Sequence, residues 1–153
     1  YSFEAAEITV RYSSREGIHL TAAQMDSFGP EILLLGPLAA LSRGETVIRH
    51  PSRPGSKEWF AILAAGLESL GASVGEYPEG IVVRGGPELK GDLVDSGGNA
   101  HIALAFALGG IMASGVTSVF GFSREAYPVA DFLRAIGRLS GPSMQSIPGI
   151  VIR

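Results

Sequence analysis

An internal repeat constrains the fold of this chain more than any other feature of its sequence. Three strand-like segments, residues 8–11, 81–84 and 150–153, share the pattern Ile-x-[Val/Ile]-Arg. Other landmarks recur about 70 residues apart: Ser52-Arg53 corresponds to Ser123-Arg124, and Leu70-Gly71-Ala72 to Leu139-Ser140-Gly141. This period is too long for a solenoid unit and suits a small α/β module used twice. We expect one domain, residues 1–153, with repeats over about 8–80 and 81–153.

Composition narrows the class of protein further. A chain of 153 residues has the size of one domain, and its 46% apolar content is enough to bury a core. The net charge is -3 and no Lys/Arg run occurs, so the sequence lacks the basic patch of a nucleic-acid-binding protein. The longest apolar stretch, residues 102–113, is shorter than the ~20 residues that span a bilayer. We therefore expect a cytoplasmic protein that binds neither nucleic acid nor membrane.

Metal and cofactor chemistry find little support in the sequence. The chain has no cysteine, which excludes disulfides and thiolate metal sites. Its three histidines, His19, His50 and His101, are not at the spacing of metal ligands. We expect neither a metal ion nor a cofactor.

Hydrophobic periodicity predicts alternating strands and helices. Helices are predicted over residues 31–42, 56–70, 100–113 and 126–138, with Gly36-Pro37 predicting that the first one kinks or begins later. Strands are predicted over 8–12, 18–25, 45–50, 73–77, 80–84, 89–95, 116–122, 143–146 and 150–153. Each half then reads strand–helix–strand–helix–strand–strand. This order is typical of an α/β (α+β) fold with helices packed together on one side of mixed sheets.

Several segments, taken in order, resemble a known family. They are Gly44-Glu45-Thr46-Val47-Ile48-Arg49, the helix end Leu70-Gly71-Ala72, the run Leu89-Lys90-Gly91-Asp92-Leu93-Val94-Asp95-Ser96, and Tyr127-Pro128. Together, over residues 18–137, they resemble the C-terminal third of the EPSP synthases (3-phosphoshikimate 1-carboxyvinyltransferases). The related enzymes that act on UDP-N-acetylglucosamine share that fold and match less well.

The resemblance implies both a fold and a reaction. The fold is one lobe of an inverted α/β barrel, built from tandem βαβαββ modules. The reaction, in the shikimate pathway of aromatic amino-acid and chorismate biosynthesis, transfers an enolpyruvyl group from phosphoenolpyruvate to shikimate 3-phosphate in a cleft between two lobes. Such a site needs cationic side chains, preferably arginine, to hold phosphate and carboxylate groups.

Four residues are candidates for binding a phosphorylated small molecule: Arg53, Lys57, His101 and Arg124. Arg53 and Arg124 occupy equivalent loops of the two repeats, Lys57 lies in a first helical turn, and His101 follows Gly97-Gly98-Asn99, whose backbone N–H groups could bind an anion. Each also has a structural interpretation, as a solvent-facing loop residue, a solvated helical turn or a helix start. No catalytic residue is assigned.

The sequence departs from the family pattern where charged groups are expected. Pro30, Trp59, His101 and Glu125 occupy positions at which the resemblance implies an aspartate, two arginines and a lysine. Each lost charge-assisted contact costs about 1.5–3 kcal/mol. Two functions stay open: part of a divergent family enzyme that is inactive as an isolated chain, or a non-catalytic regulatory or assembly module derived from the family.

A partner is expected at one end of the fold. The family cleft needs a second lobe, and a lobe on its own leaves apolar surface bare, which usually marks an interaction site. We expect a second lobe or a homodimer partner to contact the end that carries Arg53, Trp59, His101 and Arg124.

Overall fold

A computed structural model describes residues 14–123, 125–140 and 150–152. Within these residues, short strands and six helical segments alternate. They are β1 (His19–Leu20), α1 (Ala22–Ser27), a 3-10 helix (Pro30–Leu34), α2 (Leu35–Ala40), β2 (Glu45–Arg49), α3 (Ser56–Ser69), β3 (Ser73–Tyr77), β4 (Gly80–Arg84), β5 (Leu89–Lys90), β6 (Leu93–Asp95), α4 (Ala100–Met112), β7 (Ala113–Ser114), β8 (Thr117–Phe120), α5 (Val129–Ser140) and β9 (Ile150–Ile152). The predicted mixed α/β class is confirmed.

The strands in the described part of the chain form three sheets. The first has the order β1-β2-β4-β3, with β1 parallel to β2 and β4 antiparallel to both β2 and β3. β5 pairs with β7, and the third sheet has the order β6-β8-β9 with both pairs parallel. Each half thus begins with a parallel strand pair, but β9 lies parallel to β8 whereas β4 is antiparallel to β2. The tandem repeat stays a prediction, and the predicted strands at 8–12 and 143–146 lie outside the described residues.

The predicted strand over residues 18–25 is wrong beyond Leu20. Thr21 starts α1 instead: its hydroxyl accepts a hydrogen bond from the Gln24 backbone at 3.3 Å, while the Gln24 side chain accepts one from the Thr21 N–H at 2.9 Å. This reciprocal capping box satisfies N–H groups that a helix start leaves without partners. Met25 of α1 is consequently carried into the core, where it is fully buried.

The predicted helix over residues 31–42 is divided into the 3-10 helix and α2. Pro37 has no N–H to donate to the carbonyl of Leu33, so regular α-helical bonding cannot run through this region. Gly36 allows close packing at the junction, because a Cβ there would lie 3.1 Å from the Leu67 side chain and 3.2 Å from that of Leu63. The α-helix thus begins at Leu35, later than predicted, which is one of the two outcomes expected from Gly36-Pro37.

The predicted strand over residues 89–95 is two strands in different sheets, β5 and β6. Gly91 lies between them and donates to the carbonyl of Ser114 at 2.6 Å. A Cβ on Gly91 would lie 2.4 Å from the backbone of Val116, so only glycine fits this crossing. The remaining differences are at the ends: β7 takes up the end of the predicted helix 100–113, and α5 begins at Val129 rather than at 126.

The core lies where α3 and α4 pack on each other and on the sheets. Its largest fully buried side chains include Phe60, Leu63 and Leu67 of α3, and Ile102 and Phe106 of α4. Sheet residues complete it, among them Ile48, Ile81, Val83 and Leu89. Helices and sheets thus share one apolar core. The longest described helix has 14 residues, and none in the described part of the chain is long and apolar enough to cross a membrane.

Candidate functional site

A cavity of about 500 Å³ lies at the N-terminus of α3. We call it the α3 cavity. One wall is formed by the end of β2, the loop of residues 51–55 and the first turn of α3. The turn between β3 and β4, at Pro78 and Glu79, also lines it. Its polar lining consists of Arg49, His50, Ser52, Arg53, Ser56, Lys57, Glu58 and Glu79. Two of the four predicted ligand-binding residues, Arg53 and Lys57, are therefore brought together here.

The loop of the α3 cavity is tied to the end of α1. The Asp26 carboxylate accepts hydrogen bonds from the Ser52 backbone N–H at 2.7 Å and from the Ser52 hydroxyl at 2.9 Å. These bonds, together with the charge of Arg53, hold the pKa of Asp26 below its ordinary value of 3.8. Inside the loop, the Ser56 hydroxyl donates to the Pro51 carbonyl at 2.9 Å. The loop thus has a defined conformation on which the cations are placed.

Arg53 is partly engaged by the protein itself. Its Nη2 donates to the carbonyl of Phe28 and lies 3.4 Å from the carbonyl of Asp26. Arginine carries five N–H donors in a fixed fork, so these two contacts leave further donors for an anion. Arg53 therefore holds the loop against the end of α1 and presents the rest of its guanidinium to the α3 cavity.

The other two cations of the α3 cavity differ in their partners. Arg49 forms an ion pair with Glu79 across the β2–β4 side of the cavity. Lys57 is exposed and forms no ion pair with any residue that the structure describes. Gly55, at a φ of +78°, turns the chain into α3 without a side-chain cap, so the partial positive charge of the helix N-terminus also faces this end.

His50 belongs to the α3 cavity although the sequence pointed to it only as a histidine without metal-ligand spacing. Its ring packs on Phe60 with 5.2 Å between ring centroids, and its Nδ1 is buried without a hydrogen-bond partner among the described residues. Burial, and then the charge of Lys57, lower the pKa of His50, and Glu76 partly opposes them. The neutral imidazole is therefore the favoured form. The sequence signal that points to His50 as a site residue is its position directly between β2 and Pro51.

The lowered pKa of His50 predicts a pH dependence. The His50 side chain has a pKa near 6.5 in the unfolded chain and a lower pKa in the folded chain. Between these two pKa values the unfolded state therefore binds more protons than the folded state does. The contribution of His50 to stability is then complete above pH ~6.5 and is lost as the pH falls toward the folded pKa. Lys57→Ala should raise the pKa of His50, measured by NMR titration of the ring protons, whereas Lys90→Ala, on β5, should leave it unchanged. A pKa that does not respond to Lys57→Ala would contradict this account.

His101 does not line the α3 cavity. It lies in the first turn of α4, where the Asn99 side-chain oxygen accepts hydrogen bonds from the N–H of His101 at 2.9 Å and of Ile102 at 3.2 Å. Gly97 and Gly98 precede this cap at φ values of +58° and +81°. Asn99 thus occupies the N–H groups that an anion would use, which favours the structural interpretation of this loop. Arg124 lies outside the described residues.

Two of the positions that depart from the family pattern have structural roles of their own. Trp59 is half-buried and packs against the core, and Pro30 opens the 3-10 helix. Glu125 is exposed in the turn before α5. Within residues 14–123, 125–140 and 150–152, no group of three His, Asp or Glu side chains is placed to hold a metal ion.

Comparison with known families agrees with the resemblance seen in the sequence. A profile of the family described as EPSP synthase (3-phosphoshikimate 1-carboxyvinyltransferase) matches residues 3–127. Among relatives, the 3-phosphoshikimate 1-carboxyvinyltransferase of Roseiflexus sp. (strain RS-1) is 33% identical over 136 residues, which are 88% of this chain and 31% of the relative. The enzyme of the same name from Pelotomaculum thermopropionicum is 39% identical over 119 residues, 76% of this chain and 28% of the relative. The chain therefore spans about a third of the length of the relatives it matches.

The fold is also found among solved structures. An EPSP synthase from Acinetobacter baumannii superposes with a TM-score of 0.60 at 24% sequence identity, over 80% of this chain and 27% of that one. At this identity the likeness shows the fold alone, which is that of the inverted α/β barrel.

Proposed function

Because the chain belongs to the EPSP synthase family, we propose that it is a portion of an enolpyruvyl transferase whose α3 cavity contacts a phosphorylated substrate. The observation that carries this proposal is the meeting of Arg53 and Lys57 at the N-terminus of α3, in a cavity of about 500 Å³. The names of the relatives, 3-phosphoshikimate 1-carboxyvinyltransferases, suggest shikimate 3-phosphate and phosphoenolpyruvate as the substrates. Transfer of the carboxyvinyl group of phosphoenolpyruvate to a hydroxyl of shikimate 3-phosphate releases inorganic phosphate.

The charges in the α3 cavity suit weak binding of an anion. Three cationic side chains face two carboxylates there, and one pair, Arg49 and Glu79, is already neutralised. Lys57 and the open donors of Arg53 remain, and both lie where the helix dipole favours a negative group. A phosphate group fits this arrangement better than a neutral ligand does.

The same geometry supports a limited role for the isolated chain. Trp59 packs on the core and Pro30 opens a helix, so neither supplies the charge that the family pattern implies. The rest of the cleft would come from a second lobe, contributed by the two thirds of the relatives' length that this chain does not match. We propose that the chain binds substrate weakly by itself and does not turn it over.

Removing Lys57 should weaken binding of shikimate 3-phosphate. Lys57 is solvent-exposed, and exposed ion pairs contribute about 0.2–1 kcal/mol, so Lys57→Ala should reduce the affinity by up to roughly fivefold. Isothermal titration calorimetry of the wild-type chain and the variant, at constant ionic strength, measures this difference.

The matched control is Lys90→Ala, which removes the same charge from β5 outside the α3 cavity. It should leave the affinity unchanged. Equal losses in the two variants would mean that the ligand responds only to net charge, and the α3 cavity would not be the site.

A further inference from the structure

His50 is held in the wall of the α3 cavity in a position that disfavours its protonation. Its backbone N–H donates to the carbonyl of Glu79 at 2.8 Å, and its ring packs on Phe60. Nδ1 is consequently buried and has no hydrogen-bond partner among the described residues. Both nitrogens of an imidazolium carry N–H groups, and a buried N–H without an acceptor costs free energy. The charged form of His50 therefore needs a compensating interaction.

The charged groups around His50 come from the strands, the helix and the loop that surround it. They are Arg49 of β2, Arg53 of the loop, Lys57 and Glu58 of α3, Glu76 of β3 and Glu79 of the turn before β4. Arg49 and Glu79 form an ion pair with each other, and the carboxylate of Asp26 at the end of α1 is taken up by Ser52. Lys57 opposes a positive charge on His50, and Glu76 favours it. Lys57 is thus the main charge that keeps His50 neutral.

An anion in the α3 cavity changes this balance in two ways. It screens the charge of Lys57, which otherwise repels a proton on His50, and it places negative charge beside the ring. A nearby opposite charge favours the charged form of a titratable group. The ligand therefore supplies the compensation that the protein alone does not give.

We propose that His50 is a further binding residue of the α3 cavity, which takes up a proton from solvent when a phosphorylated ligand binds. This inference rests on the proposed function, because it requires the anion to lie in the α3 cavity. Coupling between two binding events is reciprocal, so protonation of His50 strengthens anion binding by the same factor by which the anion strengthens protonation. The cavity then holds its ligand with Lys57, Arg53 and an imidazolium that is absent from the neutral form.

The coupling also selects among ligands by their charge. A phosphate monoester carries a charge of about −1.5 to −2 near neutral pH, whereas a carboxylate carries one negative charge. The favourable interaction with the imidazolium grows with the charge of the ligand. His50 therefore favours a phosphorylated ligand over one that bears a carboxylate alone.

NMR titration of the histidine ring protons in the 153-residue chain tests the coupling. The chain has three histidines, so His50 can be followed beside His19 and His101 as internal controls that do not line the cavity. The pH titration is run with saturating sodium sulfate and, at the same ionic strength, with sodium chloride. Sulfate stays a dianion over this range, whereas a phosphate monoester itself titrates near pH ~6.

Sulfate should raise the pKa of His50 by about 0.5, the effect of a dianion about 10 Å away in a dielectric like that of water. Sulfate should accordingly bind about threefold more tightly near pH ~5 than near pH ~8. The ring protons of His19 and His101 should titrate alike in the two salts.

His50→Gln, which keeps a polar side chain but cannot take up a proton, should lose the threefold gain in sulfate affinity at low pH. His19→Gln removes a histidine from an exposed position on β1 and is the matched control, which should keep the gain. Thermal melts followed by circular dichroism at both pH values check that each variant is folded. The titration of the wild-type chain needs no variant and stands by itself.

The outcomes separate this inference from the proposed function. Sulfate that shifts the backbone amides of residues 49–58 but leaves the titration of His50 unchanged would overturn the inference and leave the proposed function standing. A gain at low pH that survives His50→Gln would overturn it as well, because another group would then take up the proton. If neither sulfate nor shikimate 3-phosphate shifts these amides, the inference and the assignment of the α3 cavity both fail.

Discussion

Truncating Phe106 to alanine is expected to lower the free energy of unfolding by about 3–5 kcal/mol, the usual cost of removing a buried aromatic side chain. Phe106 is fully buried on α4 and fills the space against α3. Small domains are stable by only about 5–15 kcal/mol, so this variant would lose much of its stability. Chemical denaturation followed by circular dichroism measures the change.

Gly66 of α3 provides the complementary test of the same contact. In an isolated helix, alanine in place of glycine is favourable by roughly 0.5–1 kcal/mol. Here a Cβ on Gly66 would lie 2.1 Å from Cζ of Phe106, so Gly66→Ala should instead destabilise by about 1–3 kcal/mol through overpacking. The loss should shrink or reverse in a Phe106→Leu background, because contacting residues are not additive. A stabilising Gly66→Ala in the wild-type chain would show that α3 and α4 are not packed as described.

The isolated chain is expected to release no phosphate from phosphoenolpyruvate and shikimate 3-phosphate above the uncatalysed rate. Phosphate is released in the transfer reaction, so a phosphate assay at high protein concentration follows it directly. The expectation rests on Trp59, Pro30 and Glu125, which supply none of the charges implied by the family pattern, and on the short span of the chain relative to its relatives.

The Roseiflexus relative, assayed in parallel, is the positive control. Phosphate release by the 153-residue chain that increases in proportion to its concentration, and that persists after repurification, would show that these residues are catalytic without a second lobe.

Much of the fold follows from local sequence patterns. The spacing of Phe60, Leu63 and Leu67 predicts α3, and the structure has it from Ser56 to Ser69. The hairpin of β3 and β4 was predicted with the bounds that are found, because Pro78-Glu79 separates two short strand-like runs. In both places neighbouring residues decide the conformation by themselves.

The strand predictions are wrong where the backbone conformation depends on a contact distant in sequence or on a competing local hydrogen bond. The capping box of Thr21 and Gln24 ends β1 early, although the residues that follow are compatible with a strand. Gly91 separates β5 from β6 because the backbone of Val116 passes beside it, and no pattern near Gly91 reveals that approach.

The candidate site likewise combines features that local sequence predicts with features that depend on distant contacts. Position in a loop and in a first helical turn was enough to select Arg53 and Lys57, which the structure brings together. The bond from Arg53 to the Phe28 carbonyl joins residues 25 positions apart, so the sequence does not show it. The role of His50 likewise depends on burial against Phe60 and on the charge of Lys57, which are properties of the folded chain.

The most direct test of the proposed function is to locate the ligand on the protein. Two-dimensional 1H–15N NMR spectra of the 153-residue chain, recorded during a titration with shikimate 3-phosphate, report every backbone amide at once. We expect saturable shifts concentrated at residues 49–58 and 79, around the α3 cavity. Shifts that are absent, or that concentrate at α4 around His101 instead, would contradict the assignment of the α3 cavity as the substrate-contacting site.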